Sequence, residues 1–183
     1  MTETTDSEFD AHYDAMLPFL KEFEGESDRA SIVLGAARLD LALEGLLRRA
    51  LLPPASGSDD SLLDVERPLG TFSARIEACY RLGLIDRPFR DALDLVRRMR
   101  NDCAHKLAGC NLSEGSQAER ARQLVSRHMI SEDFKAFHDA STYRVPEGLP
   151  GDFRIAVAGM MLRLETQAKD VRSLAITGIT LLP

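Results

Sequence analysis

Six consecutive residues near the middle of the chain, R-N-D-C-A-H at positions 100–105, carry the side chains best suited to chemistry. Arg100 is a permanent cation whose planar fork fits phosphate or carboxylate oxygens, and His105 belongs to the residue type that titrates nearest to neutral pH. Asn101 adds an amide that can both donate and accept hydrogen bonds. This combination could bind an anion and move a proton, or it could form a polar interface.

A helical wheel of this segment separates its arginine from its histidine. In a regular helix of about 100° per residue, residues five apart point about 140° away from each other, so Arg100 and His105 do not face the same way. A joint site would need a distorted helix or a second protomer that closes over it. Residues four apart do share a face. The polar face, predicted as an interface or anion-binding surface, comprises Arg97, Arg98, Asn101 and His105.

Arg100 itself falls among the apolar positions of the wheel. A guanidinium directed at a packed surface is costly unless a carboxylate meets it. Asp40 and Glu44 lie one turn apart on an earlier predicted helix and could supply that carboxylate. We therefore predict a structural ion pair between Arg100 and Asp40 or Glu44.

The composition is that of a globular protein with one core. The chain has 183 residues, of which 44% are hydrophobic and 28% are charged, and its formal net charge is -6. An acidic protein is a poor nonspecific binder of nucleic acid, so direct DNA binding is not the first expectation. No run of about 18 apolar residues predicts a membrane span, and the first residues lack the basic and then apolar order of a signal peptide. We therefore expect a cytoplasmic protein without membrane contact.

The cysteines and histidines predict neither a disulfide nor a metal site. Cys79, Cys103 and Cys110 are odd in number and include no C-x-x-C pair, and no secretion signal precedes them, so we expect free thiols. The four histidines are scattered along the chain, without a recognised ligand spacing. We expect no metal and no cofactor.

Apolar residues recur at helical spacing along most of the chain, which predicts an all-α fold. We expect a single-domain bundle of about six to seven helices over residues 1–183. Proline and glycine mark helix ends, as at Pro53 and Gly83. The predicted helices cover residues 6–24, 27–52, 72–82, 88–107, 117–129, 131–140 and 153–171, and the tail 176–182 could pack as a strand-like extension.

Five motifs that follow one another in the sequence resemble the mannitol operon repressor (MltR-like) family. They are E-S-D-R at 26–29, L-D-L-x-L-E at 39–44, P-L-G-x-F-S-A-R at 68–75, Y-x-L-G-L at 80–84 and R-x-x-R-N-x-x-A-H at 97–105. The resemblance is strongest over residues 24–108, and the C-terminal helices of 109–183 would pack on that part. It implies an all-helical cytoplasmic protein that regulates transcription and carries no obvious DNA-reading motif.

The R-N-D-C-A-H string is also similar to the arginine, spacer and histidine signature of the HEPN superfamily. HEPN proteins are helical and often dimeric, and many are metal-independent ribonucleases or parts of toxin and defence systems. The resemblance implies that Arg100 and His105 form the motif pair and that Asn101 is the polar residue after the arginine. The tyrosine that follows the histidine in some members is absent, because Lys106 and Leu107 stand in its place.

These resemblances lead to two hypotheses of different class. The first is a non-enzymatic, homodimeric regulator that acts through protein–protein contacts or dimerisation. We expect such contacts rather than direct DNA reading, because the helix at 88–107 has an apolar face too extensive to leave the core, although Arg97, Arg98 and Asn101 could contact DNA. The alternative is a metal-independent endoribonuclease that binds RNA. In that case His105 would transfer a proton and Arg100 would stabilise the charge that builds on the phosphate.

Overall fold

The computed structural model describes residue 14 and residues 17–54, 61–105, 110–128 and 146–173. Every regular element in these ranges is helical, which confirms the all-α bundle. The α-helices are α1 (Asp28–Ala50), α2 (Phe72–Arg81), α3 (Arg87–His105), α4 (Gly115–His128) and α5 (Leu149–Asp170), with a 3-10 turn at Ser61–Leu63 and a helical segment over residues 17–22. The predicted helix at 131–140, the strand-like tail at 176–182 and most of the predicted helix at 6–24 lie outside the described residues.

Local sequence signals set the ends of these helices. The hydroxyl of Ser27 accepts a hydrogen bond from the first turn of α1, and that of Thr71 does the same for α2. Gly83 follows the end of α2 with a φ of +71°, and the next amide, Leu84 N, turns back to donate to Cys79 O at 2.9 Å. Glycine adopts this left-handed conformation without the penalty of a Cβ, so the predicted glycine end of α2 is confirmed.

α1 is the helix around which the bundle is built, since α2, α3 and α5 all pack against it. Its inward side contributes Ile32, Leu39 and Leu43 to the core. Gly35 of α1 lies against α5, and a Cβ at this position would be 2.9 Å from Val157 Cγ1. A side chain at this position would require Val157 to shift. None of the described helices is long and apolar enough to cross a membrane.

Arg75 forms a buried ion pair between α2 and α1. Its side chain is 7% exposed, with Nη1 2.8 Å from Asp40 Oδ1 and Nη2 2.7 Å from Glu44 Oε2. Its Nε donates to Leu69 O at 3.0 Å, and Nη2 also donates to Leu63 O at 2.8 Å. Two carboxylates and two carbonyls thus compensate the loss of water around one guanidinium.

The prediction that Arg100 pairs with these carboxylates is therefore wrong. Asp40 and Glu44 do receive a buried arginine, but it is Arg75, and Arg100 is exposed. A helical wheel gives the angle of a residue around its own helix. It does not show which other helix lies next to that residue. Arg75 lies next to the buried Ile76, on the side of α2 that faces α1.

A second buried arginine joins the beginnings of α1 and α5. Arg154 is 1% exposed and donates to Glu26 O at 2.8 Å and to Pro150 O at 2.7 Å. Both of its Nη atoms also contact Asp28 Oδ1, at 3.3 and 3.4 Å, while Asp28 Oδ2 accepts from Leu112 N at 2.8 Å. Burial lowers the pKa of Arg154 below its ordinary value, and the negative charges of Asp28 and Glu26 oppose that effect.

Replacing Arg75 with methionine tests the ion pair between α1 and α2. The change leaves Asp40 and Glu44 without their shared cation, so we expect the free energy of unfolding to fall by about 3 kcal/mol. Urea unfolding measures it. In the matched control Arg122→Met, which alters a side chain that is 56% exposed, the loss is about 0.5 kcal/mol or less.

A double-mutant cycle then separates the two candidate donors. We expect a coupling energy of about 1 kcal/mol or more between Arg75 and Asp40, because they are in direct contact. Between Arg100 and Asp40 we expect none. Coupling to Arg100 with none to Arg75 would contradict the described packing.

Candidate functional site

α3 carries the whole R-N-D-C-A-H segment and ends at His105. Asp86 Oδ1 accepts a hydrogen bond from Phe89 N at 2.8 Å at the start of the helix, and Pro88 occupies its first turn. Its apolar side is buried along the whole length through Phe89, Ala92, Leu93, Val96, Met99 and Cys103. This packing fixes the rotation of the helix and turns the predicted polar face away from the core.

Asp94 organises the two arginines of the polar face. Its Oδ1 lies 2.8 Å from Arg97 Nε and 2.7 Å from Arg97 Nη2, and its Oδ2 lies 2.7 Å from Arg98 Nη2. Burial by itself would raise the pKa of Asp94, but the two guanidinium groups outweigh that effect and lower the pKa below its usual range. Arg97 and Arg98 therefore share one anion that the protein supplies.

The candidate catalytic residues Arg100, Asn101 and His105 lie in the last part of α3. Arg100 and His105 are exposed, and Arg100 Nη1 donates to Asn101 Oδ1 at 3.0 Å. His105 is the last residue of the helix. In the described part of the chain, no hydrogen bond or ion pair joins Arg100 to His105. The structure thus places both on one exposed helix end without bringing them into contact.

The prediction of three free thiols is wrong for two of them. Cys103 and Cys110 form a disulfide with their Cα atoms 5.4 Å apart, and only Cys79 is a buried free cysteine among the described residues. Cysteine number and spacing do not reveal that residue 110 lies next to the end of α3. The signal that could have indicated this proximity is the glycine-containing break that follows the predicted helix in the sequence.

Two further cations hold the end of α3, and the sequence reasoning missed both. Arg29 Nη2 donates to Cys103 O at 2.6 Å, where the last carbonyls of a helix lack partners within the helix. Arg120 Nη1 on α4 lies 2.6 Å from Asp102 Oδ2. Arg29 belongs to the E-S-D-R motif, so that motif positions the end of α3.

Neither metal chemistry nor known relatives narrow the function. In the ranges that the structure describes, no group of three or more His, Cys, Asp and Glu side chains could hold a metal ion. Comparison of the chain with protein-family models, curated proteins and solved structures gives no significant match.

Replacing Asp94 with asparagine tests the charged cluster on α3. Because its pKa is lower in the folded protein than the ordinary aspartate value of about 3.9, ionised Asp94 stabilises the fold above that pH. That contribution is lost as the pH falls through the folded pKa. At pH 7 we expect Asp94→Asn to lower the free energy of unfolding by about 1 kcal/mol, and the difference from the unmodified protein shrinks on acidification.

Urea unfolding over a series of pH values measures this effect. The control Glu119→Gln alters a carboxylate on α4 that pairs with Arg122 at the surface. We expect its effect to be about 0.5 kcal/mol or less at every pH. A deficit of Asp94→Asn that grows as the pH falls would refute the assigned direction of the shift.

Proposed function

We propose that this chain is a cytoplasmic, non-enzymatic regulator of the MltR-like kind that acts through dimerisation or contact with a partner protein. The observation that carries the proposal is an apolar stripe on α1, defined by Val33, Ala37 and Leu41 and called the α1 stripe below. These residues follow one another at intervals of four, and Val33 is 40% and Leu41 57% exposed. Residues four apart lie on one face of a helix, so the stripe is continuous.

The α1 stripe belongs to the central helix of the bundle. Burying its exposed apolar side chains against another protein would remove them from water, and exposed apolar side chains that cluster are a feature of protein interfaces. The neighbouring Gly45 leaves room beside the helix, because a Cβ at that position would meet nothing within 4 Å. A second helix can therefore approach α1 along this side.

The charges of the polar face support a protein partner over DNA. Binding to DNA relies on cations that neutralise phosphates. Arg97 and Arg98 already share Asp94, and the formal net charge of the chain is -6. Their positive charge is thus partly compensated within the protein.

The contacts of the resemblance motifs also support this assignment. Asp28 and Arg29 of E-S-D-R bind the segments around the end of α3, while Asp40 and Glu44 bind Arg75 of the P-L-G-x-F-S-A-R motif. These motif residues hold helices together. A resemblance carried by such residues concerns the framework of the fold, in agreement with a family that lacks a DNA-reading motif.

The regulator proposal is tested through the mass of the protein in solution. We expect light scattering coupled to size exclusion to give a dimer for the unmodified chain and a monomer for Leu41→Lys, which places a charge in the α1 stripe. Leu82→Lys is the control, since it alters an exposed leucine just after α2, and it should remain a dimer. If both variants have the same mass in solution, the α1 stripe is not part of a dimer interface.

Binding to DNA is the decisive counter-test. Fluorescence anisotropy with labelled duplexes, repeated at increasing salt, should show no binding at submicromolar concentration. Tight binding that weakens steeply with salt would replace the proposal with direct DNA reading.

A metal-independent endoribonuclease is the second candidate, and one observation favours it. Among the described residues, Arg100 forms no buried ion pair and is exposed on the same helix end as His105, with Asn101 as its hydrogen-bond partner. A phosphate oxygen could replace that neutral amide, because a charge-assisted bond is stronger. His105 would then transfer a proton at the ribose hydroxyl or the leaving oxygen, while Arg100 stabilises the negative charge of the phosphate.

Cleavage of labelled RNA in the presence of EDTA tests the second candidate. If it is right, Arg100→Ala and His105→Ala each lower the rate by about 100-fold or more, the scale of one general acid or base. Arg122→Ala, an exposed arginine on α4, should leave the rate unchanged. Circular dichroism checks folding, and an unmodified protein that cleaves no RNA eliminates the ribonuclease.

A further inference from the structure

The Cys103–Cys110 disulfide lies at the junction between α3 and the segment that leads into α4. It joins two residues that are seven apart in sequence, and His105 lies between them. One end of the bond is therefore in the last turn of the helix that carries Arg100 and His105.

Noncovalent contacts hold both sides of this bond in place. Arg29 donates to Cys103 O at 2.6 Å, and Asp28, the preceding residue, accepts from Leu112 N at 2.8 Å. Two adjacent residues in the first turn of α1 thus bind the two segments that carry the cysteines. The pair of thiols should stay close together when the bond is open, because the fold and not only the bond sets their separation.

The two cysteines of the bond differ in their exposure to solvent. Cys103 is fully buried, whereas Cys110 is half-buried. A thiol in solution can therefore reach the sulfur of Cys110 more easily. An exchange reaction requires such access to the attacked sulfur.

We propose that Cys103–Cys110 is a reversible thiol–disulfide switch that stiffens the end of α3 when closed and loosens it when open. The reductant is a dithiol. One thiolate of the dithiol attacks Cys110 Sγ, and the bonding electron pair leaves with Cys103 Sγ, which takes up a proton. The second thiol of the reductant then breaks the mixed disulfide, releases the Cys110 thiol and becomes a disulfide itself. Closure is the reverse two-electron exchange with an external disulfide.

The third cysteine stays outside this exchange. Cys79 is fully buried in α2, and burial raises the pKa of its thiol to about 12. Since the thiolate is the reactive form, Cys79 is inert toward exchange near neutral pH. The switch therefore has two members, and Cys79 provides an internal reference.

Mass spectrometry after alkylation under denaturing conditions tests the chemistry. In a buffer of oxidised dithiol we expect one alkylated cysteine, Cys79, and in the reduced dithiol three. Return to the oxidised buffer should restore a single alkylated cysteine. Three alkylated cysteines under oxidising conditions, or a bond that a dithiol cannot open, would overturn the proposal.

Hydrogen exchange tests the structural consequence. On reduction we expect amides in peptides covering residues 99–105 to exchange about tenfold faster, while peptides covering residues 72–81 of α2 do not change. Cys110→Ser should exchange like the reduced protein in both buffers, and Cys79→Ser should still switch. The reduced unmodified protein gives the same comparison without a substitution.

Global unfolding on reduction, followed by circular dichroism, would contradict a switch and identify the bond as a structural staple. Unchanged exchange at residues 99–105 would also overturn the proposal. Because neither measurement uses a partner, DNA or RNA, the result does not depend on the function proposed above.

Discussion

The carboxylate of Asp28 joins the beginning of α1 to α5 and to the segment that follows α3. Its Oδ1 neutralises the buried guanidinium of Arg154 on α5, and its Oδ2 receives the amide of Leu112 beyond the end of α3. Three parts of the chain far apart in sequence therefore meet at the first turn of α1. A buried cation without this partner would be strongly destabilising, so the packing of α5 and the position of the candidate site depend on the same group.

Three arginines of this fold show that the burial of a guanidinium depends on the hydrogen-bond acceptors around it. Arg75 meets two carboxylates and two carbonyls, and Arg154 meets a carboxylate and two carbonyls. Arg100 occupies a similar angular position on α3, but it is exposed and bonds to the amide of Asn101. Of these three guanidinium groups, the one without a carboxylate or backbone carbonyl acceptor in the described part of the chain is exposed to solvent.

The sequence was sufficient for features that local chemistry decides. Apolar spacing and the glycine after α2 placed the helices, because each signal acts within a few residues. It also identified Asp40 and Glu44 as acceptors for a buried arginine. It could not choose between Arg75 and Arg100, since that choice depends on which helix lies alongside α1.

The disulfide could not be predicted from the sequence either, because it also depends on how distant segments pack. Its two cysteines are close in sequence, but Asp28 and Arg29 of α1, which are far away in sequence, hold the segments that carry them. The polar face of α3 could be drawn from a wheel. Arg97 and Arg98 follow Asp94 by three and four residues, so the sequence could indicate that they pair with it. Only the side-chain positions show that both arginines bind the same carboxylate.

The contact at Gly35 places a tight spot of the core close to the ion pair at the beginnings of α1 and α5. Gly35 lies about two turns into α1, and Val157 lies about one turn beyond Arg154 on α5. A Cβ at Gly35 would require Val157 to shift, so a larger residue there would disturb the part of α5 next to Arg154 as well as the apolar core.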